Sequence, residues 1–140
     1  MGVTKYILPV VVGVLTGMLL ILLGENYLHS LYPSAEGVDF SDKTQLAAYI
    51  RTLPDSAFVF LIINYAISSF LAGLTATLTA RRVALRPALV VGIVLSVGGL
   101  YNIFTISQPL WVSLFSMLVY LPFSYFGYLA IRKKDSPASI

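Results

Sequence analysis

Four stretches of this chain run without a charge for about the thickness of a bilayer. Tyr6–Leu23 is 18 residues long, Ala57–Ala80 is 24, and Pro87–Gln108 and Leu110–Ile131 are 22 each. At ~1.5 Å per helical residue, roughly 20 apolar residues cross a hydrocarbon core of about 30 Å. A lone strand would leave its backbone polar groups unpaired in lipid, so the pattern predicts helices. The expected fold is all-α: a polytopic membrane four-helix bundle forming one transmembrane domain over 1–140. Its spans lie at about 6–24, 57–80, 87–108 and 110–131, with an outer loop at 31–56. The first run ends in Gly24-Glu25 rather than a small-x-small cleavage site and is longer than a signal-peptide core, so it reads as a retained helix. Composition agrees. Charged residues make up 11% of the chain, against roughly 25% in soluble domains, and a soluble chain of this length could not bury so much apolar surface.

The basic residues set an expected orientation. Lys5, Arg81, Arg82, Arg86, Arg132, Lys133 and Lys134 fall on one side of the four-span arrangement, and only Lys43 and Arg51 on the other. Glu25, Glu36, Asp39, Asp42 and Asp55 show the opposite bias. The positive-inside rule then places both termini in the cytoplasm, N-in and C-in, and a multi-pass protein of a bacterial inner membrane is expected. The net charge of +3 reflects juxtamembrane anchors facing anionic lipid. No clustered basic face exists for nucleic acid, which is not an expected partner. Trp111, Tyr27 and Tyr32 suit an outer aromatic belt, and Tyr6 and Tyr128 an inner one.

Within the outer loop, Leu46, Ala47, Tyr49, Ile50 and Leu53 recur at helical spacing between Pro33 and Pro54. Asp42 is placed to cap this segment, with Gln45 three residues on. A short amphipathic helix on the outer surface, or lidding the bundle, is expected.

Each span also carries one face of small and polar residues suited to close helix packing. These are Gly13, Gly17 and Gly24 in the first span, and Asn64, Ser68, Ala72, Thr75 and Thr79 in the second. The third has Gly92, Ser96, Gly99 and Asn102, and the fourth Ser113, Ser116, Tyr120, Ser124 and Gly127. Pro122 is expected to kink the last span by freeing the carbonyl near Leu118.

Glu25, His29, Asn64, Ser68, Asn102, Ser116 and Tyr120 form the candidate polar cluster in the outer half. A buried amide needs partners, and Asn64 and Asn102 are expected to satisfy each other. Glu25 and His29 share a face if the first helix continues past Gly24, as a pH-responsive pair or as an anchor for the loop. The bland alternative for every one of these residues is bundle packing. There is one histidine and no cysteine, so neither a metal site nor any cofactor is expected. No catalytic residue is assigned, because no triad, P-loop or dinucleotide fingerprint is present.

The run Glu25-Asn26-Tyr27-Leu28-His29-Ser30-Leu31-Tyr32-Pro33 resembles a pattern in an uncharacterised group of small bacterial four-helix membrane proteins. Tyr49 to Pro54, the polar-small second span and Pro109-Leu110-Trp111 carry the same likeness. The resemblance implies the four-span topology and no known activity. Three readings of function follow. The first is a non-enzymatic accessory or assembly subunit that binds a partner. The second is an oligomeric transporter or channel-type protein with a polar pathway in the outer half. The third is a lipid or small-ligand binding protein. Expected partners are membrane lipids and either further copies of the chain or a larger membrane complex.

Overall fold

The computed structural model describes residues 2–34, 36–80, 85–106 and 108–135, with side chains described for 5–34, 36–80, 85–106 and 108–132. Arg81, Arg82, Ser107 and the chain from 136 onward lie outside the described residues, as do the side chains of Lys133 and Lys134. Five helices and no strand occur among the described residues: α1 Gly2–Leu31, α2 Lys43–Arg51, α3 Asp55–Thr79, α4 Leu85–Thr105 and α5 Leu110–Asp135. Four of them, all but α2, are long and apolar enough to cross a membrane.

The first helix runs seven residues past its expected end at Gly24. Glu25 carries a charge but does not break a helix. The breaker is Pro33, whose ring disfavours helical geometry at Tyr32. The α1 ladder closes there, with Tyr32 N–H donating to Leu28 O at 3.0 Å. Its 30 residues span about 45 Å.

The helix α2 starts at Asp42, whose Oδ1 accepts from Thr44 N–H at 2.8 Å. The reciprocal half of a capping box does not form. Asp42 N–H is already committed to Asp39 O, and Gln45 Oε1 instead accepts from Asp39 N–H at 2.7 Å. Asp39 in turn accepts from the Ser41 hydroxyl and amide, bonds that hold its carboxyl below the ordinary value. Gly37 supplies the positive φ, +81°, that the turn before this cap uses.

The four long helices pack in a ring with α3 touching the other three. Its neighbours α1 and α4 run antiparallel to it, while α5 runs parallel: Phe58 meets Trp111, Tyr65 meets Tyr120, and Gly73 meets Ser124. The α3–α5 crossing is backbone on backbone. A Cβ on Gly73 would strike the Ser124 carbonyl, and one on Gly127 would strike the Phe70 carbonyl. On the other side of α3, a Cβ on Gly13 would stand 2.8 Å from Ala72 O and from the Ala76 methyl, so α1 also lies close, though less so than α5.

The small-residue face of α5 is buried along its length: Ser113, Ser116, Tyr120, Ser124 and Gly127. The α3 face is wider than the expected line through Asn64, Ser68, Ala72, Thr75 and Thr79. It also buries Tyr65, Ser69, Gly73, Ala76 and Thr77, because a helix with neighbours on several sides needs more than one seam. Most hydroxyls on these faces turn back onto their own helix. Thr75 bonds Ala72 O, Thr77 bonds Gly73 O, Thr79 bonds Thr75 O and Ser96 bonds Gly92 O. They allow close approach without joining helices. An exception is Ser124, whose Oγ donates to Ala88 O at 2.6 Å and ties α5 to α4. The helix α5 is continuous through Pro122.

Gly73→Val should therefore destabilise the fold by at least about 1–3 kcal/mol, since neither backbone can yield. A denaturant titration in detergent micelles reads this. Asp42→Ala should cost about 1 kcal/mol, confined to α2 and seen as faster amide exchange over 44–51 with the α3–α5 amides unmoved.

Candidate functional site

The helices α1 and α4 run parallel and touch at two places, Gly13 against Val91 and Gly17 against Leu95. Between them, toward the end that carries the 32–54 connection, lies a gap. The gap is a cleft of about 390 Å³, lined by Met18, Ile21, Leu22 and Glu25 of α1, by Val94, Gly98, Tyr101 and Asn102 of α4, and by Tyr120 of α5. Met18, Leu22, Val94, Gly98 and Tyr101 are exposed, so the cleft opens sideways between the helices. Two glycines make room for it. A Cβ on Gly98 would meet nothing within 4 Å, and Gly99 lies under the Tyr120 ring, which a Cβ there would strike.

A second cavity, of about 160 Å³, sits beneath α2. His29, Tyr49, Ile50 and Leu53 form its roof side, and Glu25, Phe58, Leu61 and Tyr65 its floor side. Glu25 lines both cavities. Its Oε1 accepts a hydrogen bond from the Tyr65 hydroxyl at 3.2 Å. The Tyr65 ring stacks at a tilt on Tyr120, with 5.6 Å between centroids, and Tyr120 is 2% exposed. A carboxylate can accept at about four positions, so the single bond from Tyr65 leaves most of its capacity directed at the two cavities. Among the described residues, neither cavity is lined by a lysine or arginine.

The seven candidate residues separate into groups. Glu25, Asn102 and Tyr120 come together at the cleft. Asn64 does not reach Asn102. Its Nδ2 donates to Ile21 O at 3.2 Å, its amide packs against Gly24, and Ser68 Oγ donates to its Oδ1 at 3.5 Å. The expected Asn64–Asn102 pair is thus replaced by a side-chain-to-backbone bond, because Asn64 lies on the α1 side of α3. Ser116 is buried and its hydroxyl meets no partner among the described residues.

His29 sits on the exposed edge, against the Phe40 ring at 5.5 Å and with Nδ1 at 3.3 Å from the Tyr49 hydroxyl. That hydroxyl gives its proton to Tyr32 O at 2.6 Å, so the imidazole contact needs Nδ1–H as donor. Burial pushes the Tyr49 phenol up, which keeps this donor protonated. Glu25 and His29 are therefore on one helix but engaged with different partners: Glu25 with Tyr65 inside, His29 with the roof.

Sequence reasoning missed Tyr65, Gly73 and Gly98. Tyr65 shares a face with Ser68, Ser69 and Ala72, three to seven residues on, and that spacing was the available signal. Comparison with protein-family models, curated proteins and solved structures found no match to this chain.

The two asparagines should respond differently to the same substitution. Asn64→Leu loses an interhelical bond at a tight contact and should cost about 1–3 kcal/mol. Asn102→Leu, which breaks no bond to a described side chain, should stay within about 0.5 kcal/mol. Thermal unfolding of the two variants in one detergent decides between this and a mutual pair, for which the two losses would be equal.

Proposed function

We propose that this chain is a non-enzymatic, multi-pass protein of a bacterial inner membrane that holds a small amphiphilic ligand in the lateral cleft beside Glu25. The observation that carries the reading is the cleft itself: a carboxylate, an amide and a phenol at the head of an otherwise apolar slot that opens sideways. Its volume falls within the range of small-molecule sites, about 300–1,000 Å³. In the membrane frame the four long helices span, and their exposed Leu, Ile, Val and Phe side chains face lipid. A ligand then enters from the bilayer, tail against Met18, Leu22 and Val94, and head toward Glu25.

The orientation rests on the charge bias, with both termini cytoplasmic and the 32–54 connection outside. In that frame α2 is an amphipathic helix over the outer end. Leu46, Ala47, Tyr49 and Ile50 are half-buried, and Lys43, Thr44, Ala48 and Arg51 are exposed.

Two measurements test the reading. Gly98→Leu places a side chain where a Cβ meets nothing within 4 Å. It should fill the cleft while gaining up to about 1 kcal/mol of helix propensity. Native mass spectrometry of gently extracted protein should show a retained small amphiphile in the wild type and none in Gly98→Leu; equal spectra would reject the cleft as the site. The chain has no native cysteine, so Glu36→Cys and Lys5→Cys report topology directly. An impermeant maleimide should label Glu36→Cys in spheroplasts and Lys5→Cys only after lysis.

A further inference from the structure

The cleft is chemically one-sided. Its one carboxyl group is Glu25, and no lysine, arginine or histidine lines it among the described residues. The other polar groups at its head are the Asn102 amide, which can accept through its carbonyl, and the Tyr120 and Tyr101 phenols. Phenol faces attract cations through their ring quadrupole. An anionic head placed here would meet the Glu25 carboxylate with no basic side chain of the lining to offset the repulsion. A cationic head would meet a carboxylate that has one hydrogen bond, from Tyr65, and acceptor capacity remaining. A neutral head could donate a hydrogen bond to the carboxylate but would not balance its charge. The volume, about 390 Å³, suits one chain or one compact head.

Resting on the ligand-binding reading above, we infer that the cleft selects an amphiphile with an ammonium head, its nitrogen seated between the Glu25 carboxylate and the Tyr120 and Tyr101 rings. The source is either an aminolipid of the bilayer or a free single-chain amine, which share this head chemistry.

The experiment compares three probes of one tail length, dodecylammonium, dodecanol and dodecyl sulfate. They are titrated into full-length protein in phosphatidylglycerol nanodiscs and read by native mass spectrometry. Dodecylammonium should bind about tenfold or more tighter than the other two. That preference should vanish in Glu25→Gln, which keeps an acceptor for Tyr65 but not the charge, and Gly98→Leu should bind none of the three. Replacing part of the lipid with phosphatidylethanolamine separates the sources: displacement of dodecylammonium assigns the site to an aminolipid, and undiminished binding to a free amine. If the probes bind with no preference for the ammonium, or if Glu25→Gln keeps it, the inference is overturned while the cleft remains a ligand site. If no probe of any charge binds to the wild type, the ligand-binding reading itself falls.

Discussion

The closest approach in this protein is the crossing of α3 and α5, where the backbones meet at Gly73 and Gly127 with no side chain between them. Everything else is arranged around that contact. With α5 pressed onto one side of α3 and α1 onto another, α1 and α5 do not pack extensively, and α4 closes the ring. The closure is weakest between α1 and α4, which touch at Gly13 and Gly17 and leave the cleft between them. A tight seam on one side of the bundle and an incomplete one on the other together produce the cleft. In lipid no hydrophobic force drives helices together, so close packing at small residues has to supply the association. The same small residues, where no partner fills them, leave space, and Gly98 is the clearest instance.

The carboxylate at the head of the cleft is held by parts of three helices. Glu25 comes from α1, its hydroxyl donor Tyr65 from α3, and the ring that backs Tyr65 from α5 at Tyr120. The space for Tyr120 is made by Gly99 of α4, so all four long helices contribute to its setting. This is why the site sits where it does along α1: about two turns lower Gly17 meets Leu95 of α4, and one turn higher the chain reaches His29 and the roof.

The long helices were legible because hydropathy over 18 or more residues depends on composition alone. The buried face of α5 could also be read, since its small residues line up at three- and four-residue spacing. The central helix was only half legible. One stripe accounts for the contact with α1, but Tyr65, Ser69, Gly73 and Thr77 belong to a second, and a single periodic face cannot reveal two. The end of α1 lies beyond the apolar run because a charge ends the run, whereas a proline is the physical stop of the helix. Placing the polar cluster in the outer half uses only height along the spans, which is blind to rotation about the helix axis. Asn64 and Asn102 lie at similar heights but face different seams. The cleft has no signature in the chain, because it is made by incomplete packing between two helices and by a glycine that no neighbour touches.

The two cavities meeting at Glu25 differ in what surrounds them, and that difference gives the carboxylate two distinct approaches. The lateral cleft is framed by α1, α4 and α5, whose positions follow from backbone-level packing, so a ligand can arrive from the side without rearranging the bundle. The compartment above is roofed by α2, a nine-residue helix with no buried residue, joined to α1 through the Tyr49 hydroxyl on Tyr32 O and the edge of His29. Elements with few buried apolar contacts open at low free energy, so the roof is the part of the structure most readily displaced.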